Sequence, residues 1–156
     1  MDKNDKHALL KEQVKVILKK HGYKITGPRL AVLSFLLETS EHPDIQDIYA
    51  RVIKIYPGIG IATVYRTLEL FTKLRIADVL ELADGKQRYE ISLPNDHHHH
   101  LVCTECRKVV EFGNCNFVKM VEHIEDSTRF KIHSHTTIAY GICPQCIIGS
   151  DKGSAE

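Results

Sequence analysis

Long apolar runs are missing from this 156-residue sequence. Stretches such as residues 31–37, Ala-Val-Leu-Ser-Phe-Leu-Leu, are far too short to span a bilayer. The opening residues Met1-Asp2-Lys3-Asn4-Asp5 carry no apolar signal core, so the expectation is a soluble, cytoplasmic chain with no membrane contact. A strong charge imbalance is missing as well: the formal net charge is +1, which by itself selects no partner. There is no His-Glu-x-x-His helix, which argues against a metal-dependent hydrolase; the expectation is a non-enzyme without a small-molecule substrate. Cysteine is sparse, at five residues, and a reducing cytosol favours metal binding over disulfides for them. What is present, 43% hydrophobic and 26% charged residues, suffices for a buried core and excludes a disordered chain.

The charge is unevenly spread. Residues 1–92 hold 15 Lys and Arg against 12 Asp and Glu, and residues 93–156 hold 6 against 8. The early excess lies at Lys11, Lys15, Lys19, Lys20, Lys24 and Arg29. This suits nucleic-acid contact, and equally a solvated helix face. Leu9, Leu10, Val14, Ile17 and Leu18 recur at helical spacing, so a first helix is expected over about residues 6–20, with Gly22 as its C-cap. Thr26 or Gly27 caps a second helix that places Pro28 in its first turn and carries the stripe Leu30, Leu33, Leu36 and Leu37. A third helix starts near His42-Pro43-Asp44 and stops before Pro57-Gly58.

A fourth helix, residues 60–71, puts Ile61, Val64, Leu68 and Phe71 on one face. Ala62, Arg66, Glu69 and Lys73 fall opposite, with Tyr65 on a flank. A major-groove recognition helix offers such groups: Arg for guanine or phosphate, an aromatic for a thymine methyl. An ordinary amphipathic helix fits the same periodicity. Two short strands follow, residues 76–82 and 87–91, joined by a turn with Asp84-Gly85 as its signal. Helices followed by a hairpin make a winged helix-turn-helix, and that order favours the DNA reading. The segment 92–96 is polar, contains Pro94 and reads as a hinge.

Beyond the hinge the composition changes. Seven of the ten histidines lie between His97 and His135. Cys103-x-x-Cys106 and Cys143-x-x-Cys146 form a four-thiolate set suited to one structural Zn2+; two redox centres or a disulfide pair are the competing readings. Cys115 has no partner at ligand spacing. Strands are expected at 101–104, 108–112 and 129–141, with a helix over about 116–125, giving a small α/β unit. In an extended run the histidines alternate faces, so His98 and His100 share one and His97 and His99 the other. The first face can be completed by Glu111, Glu90 and His42, a mixed imidazole and carboxylate set that suits Fe2+, Mn2+, Zn2+ or Co2+. The second face can draw on His135 or His133.

Several of these pieces together resemble the ferric uptake regulator (Fur) superfamily of bacterial metal-dependent repressors. They are the run Gly60-Ile-Ala-Thr-Val-Tyr-Arg-Thr-Leu68, Arg88-Tyr-Glu90, His97-His-His-His-Leu-Val-Cys103-x-x-Cys106, Val110-Glu-Phe112 and Tyr140-Gly-x-Cys143-x-x-Cys146. They occur in order through nearly the whole chain.

The resemblance implies an α+β architecture: a winged-helix DNA-binding domain over 1–92 and a metal-binding dimerisation domain over 97–156. It implies structural zinc on Cys103, Cys106, Cys143 and Cys146, and a regulatory metal on His42, Glu90, His98, His100 and Glu111. It maps DNA contacts onto Lys24 in the minor groove and Tyr65 and Arg66 in the major groove. The partners expected are a second copy of the chain and an AT-rich palindromic operator. The family's extra site falls on His97, His99 and His135 plus a helix carboxylate. Here that last position holds Val118, with Glu122 one turn on. Glu90 and Glu111 stand where peroxide-sensing members typically have Asp, and zinc sensors often place Cys in this site. The resemblance therefore points to an Fe2+-activated repressor, with peroxide, Mn2+ or Zn2+ sensing as the near alternatives and metal storage as a remote one.

Overall fold

The computed structural model describes residues 3–39, 41–82, 85–92, 98–113, 117–133, 135 and 137–151. The chain divides into two compact units, Met1–Pro94 and Asn95–Glu156.

The first unit contains helices α1 (Lys3–Lys20), α2 (Gly27–Glu38), α3 (Ile45–Ile55) and α4 (Ile61–Lys73), then strands β1 (Ala77–Glu81) and β2 (Gln87–Ile91). Gly22 ends α1 with φ of 76°. Its N–H bonds the Lys19 carbonyl at 3.0 Å and the Tyr23 N–H bonds the Leu18 carbonyl at 2.8 Å, the paired bonds of a Schellman cap. Pro28 lies in the first turn of α2, where it removes no helical bond. Asp44 caps α3 by accepting from the Gln46 and Asp47 amides at 2.9 and 3.0 Å, and Asp47 returns the bond to the Asp44 amide at 3.1 Å.

Helix α2 packs against α1, α3, α4 and β2. Its buried surface is therefore wider than the expected leucine stripe and includes Ala31 and Val32 beside Leu33, Leu36 and Leu37. Leu18, Val32, Leu33, Ile48, Val52, Val64, Leu68 and Phe71 are fully covered. Each contributes roughly 1.5–3 kcal/mol by leaving water. Ile61 departs from the expected inner face of α4: it is 39% exposed, because it opens the helix a turn ahead of Val64, where packing begins.

Strands β1 and β2 form an antiparallel hairpin with Ala77 opposite Ile91 and Glu81 opposite Gln87. The residues before α3 lie along its edge, through a bridge between Asp44 and Arg88 and a 3.0 Å bond from the Tyr89 N–H to the Pro43 carbonyl. Four helices closed by such a hairpin make a winged helix-turn-helix.

The second unit contains β3 (His99–Cys103), β4 (Val109–Phe112), α5 (Phe117–Thr128), β5 (Ile138–Gly141) and α6 (Pro144–Asp151). The strand order is β4-β3-β5, with β4 antiparallel and β5 parallel to β3. The long strand expected over 129–141 is only β5. Arg129 takes a left-handed φ of 62° after α5, and Glu125 then holds the following chain by accepting from the Ile132 amide at 2.7 Å and the Lys131 Nζ at 2.9 Å. The bond to Ile132 occupies a backbone amide that a strand would pair. Helix α6 was not expected; its start at Pro144 is a helix-opening signal inside the second cysteine pair. His97, Cys115 and the hinge positions 93–96 lie outside the described residues.

Candidate metal centres and nucleic-acid interface

Sheet register assembles the four cysteines. Cys103, the last residue of β3, pairs with Gly141 of β5, and Cys143 follows two residues later. A tight turn, with Arg107 at φ of 63° and its N–H on the Cys103 carbonyl at 3.0 Å, brings Cys106 back. The first turn of α6 presents Cys146, whose N–H bonds the Cys143 carbonyl at 3.0 Å. All four sulfurs lie within 4.8 Å of one another. The Cys103–Cys146 and Cys106–Cys143 sulfur separations are 3.9 and 3.7 Å. A tetrahedron with metal–sulfur bonds of about 2.3 Å has edges of about 3.8 Å, whereas a disulfide needs about 2.0 Å. The donor set thus fits a zinc site.

The Cys103 and Cys146 thiols are shifted in opposite directions. Backbone amides of Cys106 and Cys143 aimed at Cys103 bring its thiol down to about 6. Hydrogen bonding to the Cys143 and Cys106 sulfurs pushes Cys146 up to about 12. A bound dication would take its cysteine ligands as thiolates.

In the first unit, His42 Nε2 lies 2.9 Å from Glu90 Oε2, with both side chains largely shielded from water. Arg88 Nη1 reaches the His42 carbonyl at 3.5 Å, and Lys86 Nζ lies 3.1 Å from Asp44 Oδ2. Burial raises the Asp44 pKa, but the Asp47 amide and the Lys86 ammonium lower it more, and the carboxyl sits below its usual range.

In the second unit, the His98 and His100 rings meet edge to face with centroids 5.0 Å apart. Glu111 stands directly across from His100 in the β3–β4 ladder and so shares its face. His99 turns to the opposite face. It is buried, 5.4 Å from the Phe112 ring and 5.2 Å from the His135 ring between centroids. Glu122 is exposed on α5; among the described residues, His99, His135 and Glu122 do not gather within 4.8 Å as a donor cluster.

Helix α4 turns Val64, Leu68 and Phe71 inward and leaves Ala62, Arg66 and Glu69 exposed, with Tyr65 48% exposed. Thr67 and Leu70 are also buried, which widens the inner face and narrows the outer one. Lys24 is exposed in the segment between α1 and α2.

A winged helix with an outward Tyr-Arg pair, joined in sequence to a unit carrying a four-thiolate cluster and a histidine-carboxylate face, defines a metal-responsive DNA-binding regulator. The sequence profile of the ferric uptake regulator family matches residues 20–140. The chain is 40% identical over 138 residues to the ferric uptake regulation protein of Bacillus subtilis, covering 86% of this chain and 93% of that one. It is 31% identical over 129 residues to the peroxide-responsive repressor PerR of Staphylococcus saprophyticus, covering 83% and 86%. The structure superposes on that of the Helicobacter pylori ferric uptake regulator with a TM-score of 0.78 at 26% identity, over 90% of this chain and 93% of that one. That structure is described as revealing three functional metal-binding sites. The chain belongs to the ferric uptake regulator family. Members are metal-responsive, DNA-binding transcriptional regulators, not enzymes, and so is this chain.

Among the described residues no helix is long and apolar enough to cross a membrane.

Proposed function

We propose that the chain is an Fe2+-activated repressor of iron-homeostasis genes, acting in the cytoplasm as a homodimer on an AT-rich palindromic operator. Zn2+ on Cys103, Cys106, Cys143 and Cys146 would be structural. Regulatory Fe2+, replaceable by Mn2+ or Zn2+, would be held by His42 and Glu90 from the first unit and His98, His100 and Glu111 from the second. The observation that carries this reading is the split donor set. One unit presents a shielded His42–Glu90 pair 2.9 Å apart, and the other presents His98, His100 and Glu111 on one face of its sheet.

The first unit supplies two of these donors and the second supplies three. A cation joining them would fix the placement of residues 1–92, the DNA-binding domain, against residues 97–156, the dimerisation domain, across a hinge at 92–96. Metal and operator would then favour the same state, and each would tighten the other. Lys24 would enter the minor groove, and Tyr65 and Arg66 the major groove. Dimerisation is supported by an apolar surface on the second unit: Leu101 and Val110 face each other across the ladder and, with Phe112 on the same face, are 44%, 45% and 40% exposed. The two oxygen donors are both glutamates, which favours iron over peroxide sensing by the family pattern.

The test is anaerobic fluorescence anisotropy on a palindromic AT-rich duplex at fixed salt, with Fe2+, Mn2+ and Zn2+ added separately to zinc-replete protein. Metal should tighten binding, and His98→Ala should abolish the response. Equal binding with and without metal refutes the switch. Peroxide treatment of the Fe2+ form followed by mass spectrometry separates the sensor types: oxidised His42 or His98 would move the assignment to a peroxide sensor.

A further inference from the structure

Arg29 stands in the first turn of α2, where a positive charge is unfavourable because the helix N-terminus is itself positive. No acidic residue offsets it in that turn, and Thr26 makes no side-chain cap bond. Its own contacts point to another use. The guanidinium carbon lies over the Tyr23 ring, 5.8 Å from the centroid, and Nη1 donates to the Lys24 carbonyl. Arg29 thus grips two successive residues of the segment joining α1 to α2.

The rest of that segment is already constrained. Tyr23 closes the Schellman cap of α1 through its N–H on the Leu18 carbonyl. Tyr23 and Ile25 pack against the core, which turns Lys24 outward between them. Lys24 is therefore an exposed cation on a short tether pinned at both neighbours and at its own carbonyl.

We infer that Arg29 is a positioning residue for DNA binding: by its cation–π contact with Tyr23 and its bond to the Lys24 carbonyl it pre-orders the tether that presents Lys24 to the groove. This rests on the reading of Lys24 as a DNA contact. The extended guanidinium makes the two contacts at once from different atoms, Cζ over the ring and Nη1 on the carbonyl, and a lysine ammonium, a compact point charge, does not reproduce both. Pre-ordering removes conformational entropy that binding would otherwise have to take out of the tether.

The experiment uses full-length, zinc-replete, Mn2+-loaded protein and the AT-rich duplex, with wild type, Arg29→Lys, Lys24→Ala and the double variant. Arg29→Lys keeps the charge. It should nevertheless weaken DNA binding by about tenfold, the scale of ordering roughly one backbone residue. The slope of log affinity against log salt should stay at its wild-type value, since no phosphate contact is lost. In the Lys24→Ala background the same change should have little further effect. Amide hydrogen exchange in the free protein should speed up at Lys24 and Ile25 in Arg29→Lys while the α2 core stays protected. Additive losses in the double variant, or unchanged exchange at Lys24 and Ile25, overturn the inference. A phosphate-binding Arg29 would instead tolerate lysine, and that outcome also overturns it. Wild-type affinity in Lys24→Ala sinks the Lys24 reading, and the exchange result then judges the anchor separately.

Discussion

His42 and Glu90 meet at 2.9 Å although 48 residues separate them. One bridge between Asp44 and Arg88 brings them together. The Tyr89 N–H bond to the Pro43 carbonyl continues that antiparallel register, which puts position 42 opposite 90. The capped start of α3 and the wing strand are thereby fixed to each other, and the imidazole and carboxylate converge without any loop having to fold over them. Glu90→Gln keeps the shape but removes the charge that a divalent cation needs. It should lower regulatory-metal affinity by at least about 10- to 100-fold, the loss that removing even an outer-shell partner produces. Competition against a fluorescent chelator measures it; wild-type affinity would take Glu90 out of the site.

Asp44 ties this pair to the helix it precedes. Replacing it with Ala removes the accepted bonds from Gln46 and Asp47. The expected loss at neutral pH is about 1 kcal/mol, that of a helix N-cap. The sign of the pH dependence follows from its depressed pKa. The folded chain holds the carboxylate better than the unfolded chain, so the stabilisation is full above the ordinary value of 3.8 and fades as pH falls through the lower folded value. Urea melts of wild type and Asp44→Ala should therefore diverge at neutral pH and converge in strong acid. A constant gap across the range would show that the ionised carboxylate is not what stabilises the cap.

The outer face of α4 can be separated from the metal chemistry. Arg66 is exposed and lies on the far side of the helix from Val64, Leu68 and Phe71. Arg66→Ala should cost about 1–3 kcal/mol in operator binding and relax base preference at one position. Metal affinity and thermal stability should stay at wild-type values. Anisotropy with a panel of single-base operator variants checks the first, and chelator competition the second. Unchanged DNA affinity would reassign α4 as an ordinary surface helix.

Much of this organisation is legible in the sequence. Period-3.6 patterning marks the four helices of the first unit, Gly22 and Pro28 mark a stop and a start, and the cysteine spacing marks the four-thiolate cluster. Alternation put His98 and His100 on one side, and the ladder then set Glu111 beside His100. The misses share a cause: local pattern does not report what packs around a segment. α2 buries more than its leucine stripe because neighbours surround it, and Ile61 stays exposed because packing starts one turn later. The stretch after α5 reads as strand by composition, yet Glu125 captures its backbone and side chain first. Arg29 gave no sequence signal beyond its charge. Its contacts with Tyr23 and Lys24 depend on where α2 begins relative to the end of α1.

The four-cysteine cluster makes the last prediction. The second unit has a three-stranded sheet and two helices, and among its described residues the buried apolar side chains are Val102 and Cys103. With so little core, the cross-link from the end of β3 to the start of α6 should supply much of its folding free energy. In zinc-finger peptides structural zinc supplies about 10–16 kcal/mol, and binding and folding are one event. Stripping zinc under reducing conditions, or replacing Cys103 with Ser, should therefore loosen the second unit while the helical first unit keeps its core. Hydrogen exchange followed by mass spectrometry resolves the two. Protection in β3 and β5 should fall together with zinc content, protection in α2 and α4 should persist, and DNA binding should be lost along with the dimer. If β3 and β5 remain protected in zinc-free protein, the sheet stands on its own packing and the cluster has a role other than holding the unit together.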